Sequence, residues 1–125
     1  MYNYFDHERY EIVSLETVSP GAAVIRVDFK YDGGGIGKGG TATIFINDKK
    51  VGEGRIDKTC LSRFGAESLD VGMDSGSPVS EDYQPPFAYS GTIKKVNIHV
   101  SPANLNASDQ EKVHHAERDA EMAME

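Results

Sequence analysis

A glycine-rich stretch from Asp32 to Gly40 constrains the fold of this chain most strongly, since six of its nine residues are glycine. It lies between two runs with strand-like composition, residues 22–31 and 41–47. A glycine-rich loop that binds phosphate leads from a strand into a helix. Here a second strand-like run follows, so the stretch is predicted to be a hairpin connection. This favours an all-β domain over a nucleotide-binding enzyme.

The first of these runs has the clearest alternation in the chain. Its apolar or aromatic positions are Ile25, Val27, Phe29 and Tyr31, and its charged positions are Arg26, Asp28 and Lys30. Strict alternation predicts a half-buried antiparallel strand.

Further strands are predicted on both sides of a tight turn at residues 47–50. Residues 41–47 are apolar or β-branched on both faces, which indicates a central strand, and residues 51–57 are predicted to return as a third strand. Residues 91–100 are predicted as another strand, with Val96, Ile98 and Val100 on its apolar face. Between them, residues 62–69 could hold a short strand, and residues 70–83 are predicted to be a long loop.

The C-terminal part has a different composition. Ser108 and Glu111 form a capping-box pattern, so a helix is predicted from about residue 109 to residue 124. Its apolar stripe is thin, which predicts a polar surface helix. The chain is therefore divided into an antiparallel β domain, residues 1–102, and a linker with a polar helix, residues 103–125.

Composition excludes several classes of partner. The 125 residues carry a formal net charge of −7, so the basic footprint of a nucleic-acid-binding protein is missing. No apolar run approaches the roughly 20 residues of a membrane-spanning helix, and negative charge disfavours anionic membranes. Residues 1–6 lack the pattern of a signal peptide, so a cytoplasmic location is the default expectation. Cys60 is the single cysteine, which leaves no intrachain disulfide.

The loop at residues 70–83 contains the candidate metal ligands. Asp70, Asp74 and Asp82 alternate with glycine and serine, and hard carboxylate oxygens on a bent loop could bind Ca²⁺. The spacing is not that of an EF-hand, because the twelve-residue ligand series with its closing Glu is missing. The alternative is an exposed loop in which these carboxylates accept hydrogen bonds within turns. Ca²⁺ is the one cofactor that the sequence suggests, and no other cofactor is predicted.

Two further sets of residues invite a chemical interpretation. Cys60 could act as a nucleophile only if the fold supplied a base and an orienting group, and a structural role is favoured. The aromatic side chains near the N-terminus could stack on sugar rings, although packing is the favoured interpretation. They are Tyr2, Tyr4, Phe5 and Tyr10.

Five ordered segments of the chain resemble the C-terminal region of bacterial arylsulfatases. They are residues 3–10, with Asn3-Tyr4-Phe5 and Glu8-Arg9-Tyr10, and residues 29–40, 50–56, 70–80 and 87–96. Together they extend over about four fifths of the chain. The resemblance implies an antiparallel β-sandwich of concanavalin-like or jelly-roll type. It also implies that the sandwich is incomplete, because members of this family have further strands upstream.

The resemblance implies no catalytic residue in this chain. Arylsulfatases carry out their chemistry in a separate α/β domain, where the Cys or Ser of a C/S-x-P-x-R motif becomes formylglycine beside a divalent cation. The segment Cys60-Leu61-Ser62-Arg63 departs from that motif, since proline is missing and arginine comes one position early.

An incomplete sandwich leaves an apolar sheet face that needs a cover. The residues predicted to form that face are Ile25, Val27, Phe29, Ile44, Ile46, Val96 and Ile98. A homodimer, or a complex with a sulfatase catalytic chain, is therefore expected. The resulting hypothesis is a non-catalytic accessory or assembly domain. The alternatives are a lectin-like module that binds a glycan and a fragment with arylsulfatase (sulfuric ester hydrolase) activity.

Overall fold

The computed structural model describes residues 1–61, 67–102 and 105–123. This part of the chain contains antiparallel strands and one C-terminal helix, so the prediction of a small all-β fold with a helix is confirmed. The elements are β1 (Tyr2–Tyr4), β2 (Glu8–Tyr10), β3 (Ile25–Tyr31), β4 (Lys38–Ile46), β5 (Lys49–Lys58), β6 (Met73–Asp74), β7 (Phe87–Ala88) and α1 (Ala107–Ala123). The chain divides into two compact units, residues 1–61 and 62–125. The division predicted between residues 102 and 103 stays a prediction.

Strands β3, β4 and β5 form the main sheet of the first unit. Their order is β3-β4-β5, and both pairings are antiparallel, so β4 is the central strand as predicted. The predicted tight turn joins β4 to β5 through Asn47 and Asp48, whose φ angles are 48° and 64°. Two consecutive residues with positive φ give a turn whose twist matches that of the flanking strands.

The glycine-rich stretch connects β3 to β4, as the sequence predicts. The Tyr31 hydroxyl fixes this connection, because it donates a hydrogen bond to the Gly35 carbonyl and accepts one from the Lys38 amide at 3.0 Å. Gly33 and Gly34 have φ angles of 78° and 80°. Glycine adopts such angles without the steric cost of a Cβ atom.

One face of this sheet is covered over β4 and β5 by the segment that follows β2. The register aligns Gly54 with Ala42 and Gly52 with Ile44, so both glycines lie on that face. A Cβ atom added to Gly54 would stand 2.6 Å from Cγ1 of Ile12, and one added to Gly52 would stand 2.7 Å from a backbone oxygen. The two glycines therefore let the N-terminal segment approach the sheet closely.

The hairpin formed by β1 and β2 also contacts β5 and the residues that follow it. Lys58 Nζ lies 2.6 Å from Glu8 Oε1, and the Cys60 amide donates a hydrogen bond to the Tyr2 hydroxyl at 2.8 Å. Each of these strands is three residues long, which is too short for a periodic pattern to show in the sequence.

The prediction that β3 is half-buried is wrong. All seven residues of β3 are exposed, whereas the buried apolar side chains of the described structure are Ala42, Val51 and Ile56. The physical reason is that the N-terminal segment covers β4 and β5. Alternation shows which side chains share a face, and it does not show whether another segment covers them.

The second unit contains little regular β structure. Strands β6 and β7 have two residues each and pair in antiparallel fashion. The predicted strand at 91–100 is wrong, because these residues have no β pairing and Val96 and Ile98 are exposed. Alternating apolar residues form a strand only where a neighbouring segment supplies hydrogen-bond partners. Of the predicted short strand at 62–69, residues 62–66 lie outside the described residues, and residues 67–69 form no strand.

The helix begins two residues before its predicted start. Asn106 caps it, since its Oδ1 accepts a hydrogen bond from the Asp109 amide at 2.8 Å and its carbonyl accepts one from the Gln110 amide at 3.0 Å. Ser108 is therefore inside the first turn, and the predicted capping box is wrong. Most of the helix is exposed. Within residues 1–61, 67–102 and 105–123, no helix is long and apolar enough to cross a membrane.

Candidate functional site

The outer part of strand β3 is the surface of this chain that most requires a partner. The side chains of Ile25, Val27, Phe29 and Tyr31 share one face, and they are 59%, 63%, 46% and 40% exposed. The outer edge of the same strand pairs with no other strand that the structure describes, and we call this edge, together with these four residues, the β3 surface. A row of large apolar side chains beside an open strand edge is a feature of interaction sites.

The backbone of β3 presents hydrogen-bonding groups at this edge. The Asn47 amide bonds to the Val24 carbonyl at 2.9 Å, and the Asp32 amide bonds to the Gly39 carbonyl at 3.0 Å. Even-numbered residues of β3 therefore direct their amide and carbonyl groups toward β4. Because these groups alternate in direction along a strand, those of Ile25, Val27 and Phe29 point away from the sheet.

The opposite face of β3 carries charges of alternating sign. Arg26 lies 3.1 Å from Asp28 and 2.8 Å from Asp48, and its guanidinium stands 4.1 Å from the centre of the Phe45 ring. Lys30, in contrast, makes no side-chain hydrogen bond or ion pair with any residue that the structure describes. Strand β3 is thus apolar on one face and charged on the other.

The aspartates predicted to bind Ca²⁺ act as hydrogen-bond acceptors within their own loop. Asp70 Oδ2 accepts bonds from the amide and the hydroxyl of Ser75 at 3.0 and 2.6 Å, and these bonds lower the pKa of Asp70. Asp74 accepts a bond from the hydroxyl of Tyr83, and Asp82 accepts one from the hydroxyl of Ser80 at 2.6 Å.

No group of three or more His, Cys, Asp or Glu side chains is placed to hold a metal ion in the described ranges of the chain. The bonds made by Asp70, Asp74 and Asp82 match the alternative interpretation, in which the carboxylates stabilise turns. Ca²⁺ binding stays a prediction.

Cys60 lies beside a phenol. The Tyr2 hydroxyl accepts a hydrogen bond from the Cys60 amide. Burial, followed by hydrogen bonding to the Cys60 side chain, raises the pKa of Tyr2, although the bond from the Cys60 amide acts in the opposite direction. A phenol with a raised pKa keeps its proton at neutral pH and cannot serve as the base that a nucleophilic cysteine needs. Ser62 and Arg63 lie outside the described residues.

The aromatic cluster at the N-terminus is engaged in packing. Tyr4 and Phe5 make an edge-to-face contact with ring centres 4.9 Å apart, and Tyr2 and Tyr10 lie 6.4 Å apart. The Tyr10 hydroxyl donates a hydrogen bond to Glu8. These contacts agree with the packing interpretation.

No protein-family model, curated protein or solved structure matches this chain. The resemblance to arylsulfatase C-terminal regions therefore stays a prediction. The exposure and the open edge of β3 are the observations on which a function can be based.

The sequence predicted the apolar face of β3 but missed how that face is divided. The described structure covers the β4 and β5 half with the segment around Ile12 and leaves the β3 half open. A signal was present in Gly52 and Gly54, because two glycines on one face of a strand indicate close approach of another segment.

Proposed function

We propose that this chain is a non-catalytic assembly domain whose β3 surface is covered by another protein chain. The observation that carries the proposal is the exposure of the apolar residues on β3, beside a strand edge that no other described strand covers. In this proposal the domain is related to the C-terminal region of arylsulfatases, and the partner completes an incomplete β-sandwich. The partner is a second copy of the chain or a sulfatase catalytic chain.

The small core supports this proposal. The described structure buries only three apolar side chains, while Ile25, Val27 and Phe29 remain accessible to water. Fully burying a side chain of this kind contributes roughly 1.5–3 kcal/mol. Covering the β3 surface would therefore add several such contributions to a domain with few of its own.

A binding role also agrees with the arrangement of the polar residues. The described residues bring no base to Cys60 and no group of metal ligands together, so a hydrolase mechanism has no geometric support. The lectin alternative lacks support for a similar reason, since the aromatic residues near the N-terminus pack on each other.

Light scattering and sedimentation over micromolar to near-millimolar concentrations test the proposal. The chain is expected to self-associate, or to bind a separately produced sulfatase catalytic chain. Val27→Asp should abolish that association, because it places a charge in the middle of the β3 surface. Leu15→Asp is the matched control, since Leu15 is 91% exposed and lies outside the β3 surface. Association that is unchanged by Val27→Asp would refute the proposal, as would a chain that stays monomeric and binds no such partner.

A further inference from the structure

We infer that the occupant of the β3 surface is a second copy of this chain, and that the two β3 strands pair antiparallel in a register centred on Phe29. This inference rests on the proposed function and specifies its partner and geometry. Three observations carry it. They are the direction of the backbone hydrogen-bonding groups along β3, the order of the charged residues on β3, and the occupation of the outer edge of β5 by the N-terminal segment.

The backbone restricts which registers are possible. The groups that point away from the sheet belong to odd-numbered residues, as the bonds of Val24 and Asp32 to their neighbours show. In an antiparallel pair, residues that exchange hydrogen bonds lie opposite each other. Odd-numbered residues of one copy must therefore face odd-numbered residues of the other. Each possible two-fold axis therefore passes between the two copies of one β3 residue. In every such register the apolar side chains of both copies lie on the same face of the combined sheet.

The charges select among these registers. A register centred on Asp28 would place Asp28 opposite its own copy and Arg26 opposite Lys30, so every charged pair would be repulsive. A register centred on Phe29 instead places Lys30 opposite Asp28 and Arg26 opposite Asp32, twice each by symmetry. Opposite charges directly across two strands stabilise the pair, and like charges destabilise it.

Two other registers are favourable by charge. A register centred on Tyr31 would place Lys30 opposite Asp32, but it would place Phe29 opposite Gly33, beyond the end of β3, so few strand residues would pair.

Lys30 distinguishes the Phe29 register from the other one. A register centred on Val27 would also place Arg26 opposite Asp28, but it would leave Lys30 opposite Val24. Lys30 has no ion-pair partner in the part of the chain that the structure describes, whereas Arg26 already contacts Asp28 and Asp48. The register centred on Phe29 gives each Lys30 the Asp28 carboxylate of the other copy. This pair carries the preference, because Arg55 already binds Asp32 within its own sheet.

The apolar side chains fit the same register. Phe29 would face its own copy, and Val27 would face Tyr31. Aromatic pairs and aromatic–β-branched pairs are the favourable cross-strand combinations. The Phe29 ring is held in place on its own sheet, because it lies over Gly40 of the neighbouring strand, where an added Cβ atom would be 2.5 Å from the ring.

The far edge of the sheet favours a closed dimer over a growing array. The Leu15 amide donates a hydrogen bond to the Val51 carbonyl at 2.7 Å, so the N-terminal segment occupies part of the outer edge of β5. Pairing through β3 uses the same surface on both copies, and such an interface closes after two subunits.

Charge reversal tests the register, with the dimer dissociation constant measured by sedimentation. Lys30→Asp should weaken the dimer roughly tenfold, because two attractive pairs become repulsive. Combining Lys30→Asp with Asp28→Lys should restore most of the affinity, because the reversed pairs attract again. Lys94→Asp serves as the matched control, since it makes the same change of charge at an exposed residue outside the β3 surface.

The competing registers give different results. In the register centred on Tyr31, Lys30→Asp would also weaken the dimer, but adding Asp28→Lys would not restore it. No change with Lys30→Asp would indicate the register centred on Val27, and tighter binding would indicate the one centred on Asp28. Any of these results overturns the inference while leaving the proposed function intact, provided that Val27→Asp still abolishes association. A chain that binds only a sulfatase catalytic chain, and never a second copy, also overturns the inference alone.

Cross-linking gives a second readout that does not depend on charge. In a Cys60→Ser background, Phe29→Cys should form an intermolecular disulfide rapidly, because residues that face their own copy in a hydrogen-bonded pair have Cα atoms about 5.5 Å apart. Val27→Cys and Tyr31→Cys are the controls, and they should form a disulfide with each other when mixed but only slowly with themselves. Faster self-cross-linking of Val27→Cys than of Phe29→Cys would contradict the inference.

Discussion

Arg55 forms a bidentate ion pair with Asp32, in which Nη1 lies 2.9 Å from Oδ1 and Nη2 lies 2.6 Å from Oδ2. Arg55 belongs to β5 and Asp32 follows β3, so the pair bridges the outer strands across β4. Nη1 also donates a hydrogen bond to the Thr41 hydroxyl at 3.1 Å, which ties the central strand into the same contact. These bonds hold the start of the glycine-rich connection against the sheet.

Replacing Arg55 with lysine should lower the stability of the first unit, because a single ammonium group cannot donate two parallel hydrogen bonds. The Arg55 guanidinium holds the pKa of Asp32 below its ordinary value. The stabilising effect is therefore present above the pKa of Asp32 in the unfolded chain, and it is lost as pH falls through the lower pKa in the folded chain. The urea midpoints of the wild type and Arg55→Lys should converge in acid. The same variant in an Asp32→Asn background should show little further loss, and a full loss there would contradict the pairing.

Tyr10 should titrate at unusually high pH. Its hydroxyl donates a hydrogen bond to Glu8, and this bond, followed by burial and the negative charge of Glu8, raises the pKa of Tyr10 to about 12. The hydrogen bond from Tyr10 to Glu8 stabilises the fold fully below the pKa of an unfolded tyrosine, about 10. This stabilisation is lost as pH rises through about 12. Absorbance of tyrosinate should show this step, and Tyr10→Phe should remove it. In Glu8→Gln the step should move toward the ordinary value.

Gly54→Ala should destabilise the chain by about 1–3 kcal/mol, the usual cost of overpacking. Replacing glycine with alanine gains about 0.4–1 kcal/mol by restricting the unfolded chain, but the new methyl group would stand 2.6 Å from Cγ1 of Ile12. The steric clash with Ile12 should therefore outweigh the gain, so that Gly54→Ala lowers the free energy of unfolding. Urea unfolding of a double-mutant cycle with Ile12→Ala checks this, because the substitution should cost much less once the Ile12 side chain is shortened. An equal cost in both backgrounds would show that the N-terminal segment does not cover Gly54.

Asn106→Ala should weaken the helix, whereas Ser108→Ala should not. Asn106 supplies the capping oxygen for the Asp109 amide, and losing such a cap costs about 1 kcal/mol. Ser108 lies within the first turn, where alanine is at least as favourable as serine. Circular dichroism of the two variants, measured side by side, checks the assignment. Loss of helix in Ser108→Ala would instead show that Ser108 caps the helix, as the capping-box pattern in the sequence predicts.

Millimolar Ca²⁺ should leave the thermal midpoint of the chain unchanged. At least one oxygen each of Asp70, Asp74 and Asp82 accepts a hydrogen bond within the loop, and the described residues place no three possible metal ligands together. Differential scanning calorimetry with and without Ca²⁺ checks this expectation, and Mg²⁺ serves as the control for ionic strength. A rise in the midpoint that Asp70→Asn removes would establish a calcium site.

The hairpins around β4 could be predicted because their signals are local. The alternation of Arg26, Asp28 and Lys30 with apolar residues fixes the faces of β3. The glycines after Asp32 and the turn at Asn47 fix the connections. The helix was also predictable, but its first residue was not, because Asn106 and Ser108 are both good capping residues and only the path of the chain decides between them.

The missed features depend on contacts between distant segments. Val96 and Ile98 alternate as strand residues do, but an isolated alternation cannot show whether a neighbouring strand exists. The open half of the β3 face could not be derived either, since it depends on where the segment around Ile12 crosses the sheet. The sequence therefore predicted which residues form the apolar face, but not which part of that face stays uncovered.

The Tyr31 hydroxyl, which bridges Gly35 and Lys38, makes the glycine-rich connection suitable for engineering. The bridge holds the returning end of the connection to the last residue of β3, while added Cβ atoms at Gly33 and Gly34 would meet open space. A peptide epitope or fluorescent label inserted between these two glycines would leave the hydrogen bonds of Tyr31 to Gly35 and Lys38, and the pairing of β3 with β4, undisturbed. The connection thus offers an attachment point for reporters that follow pairing through β3.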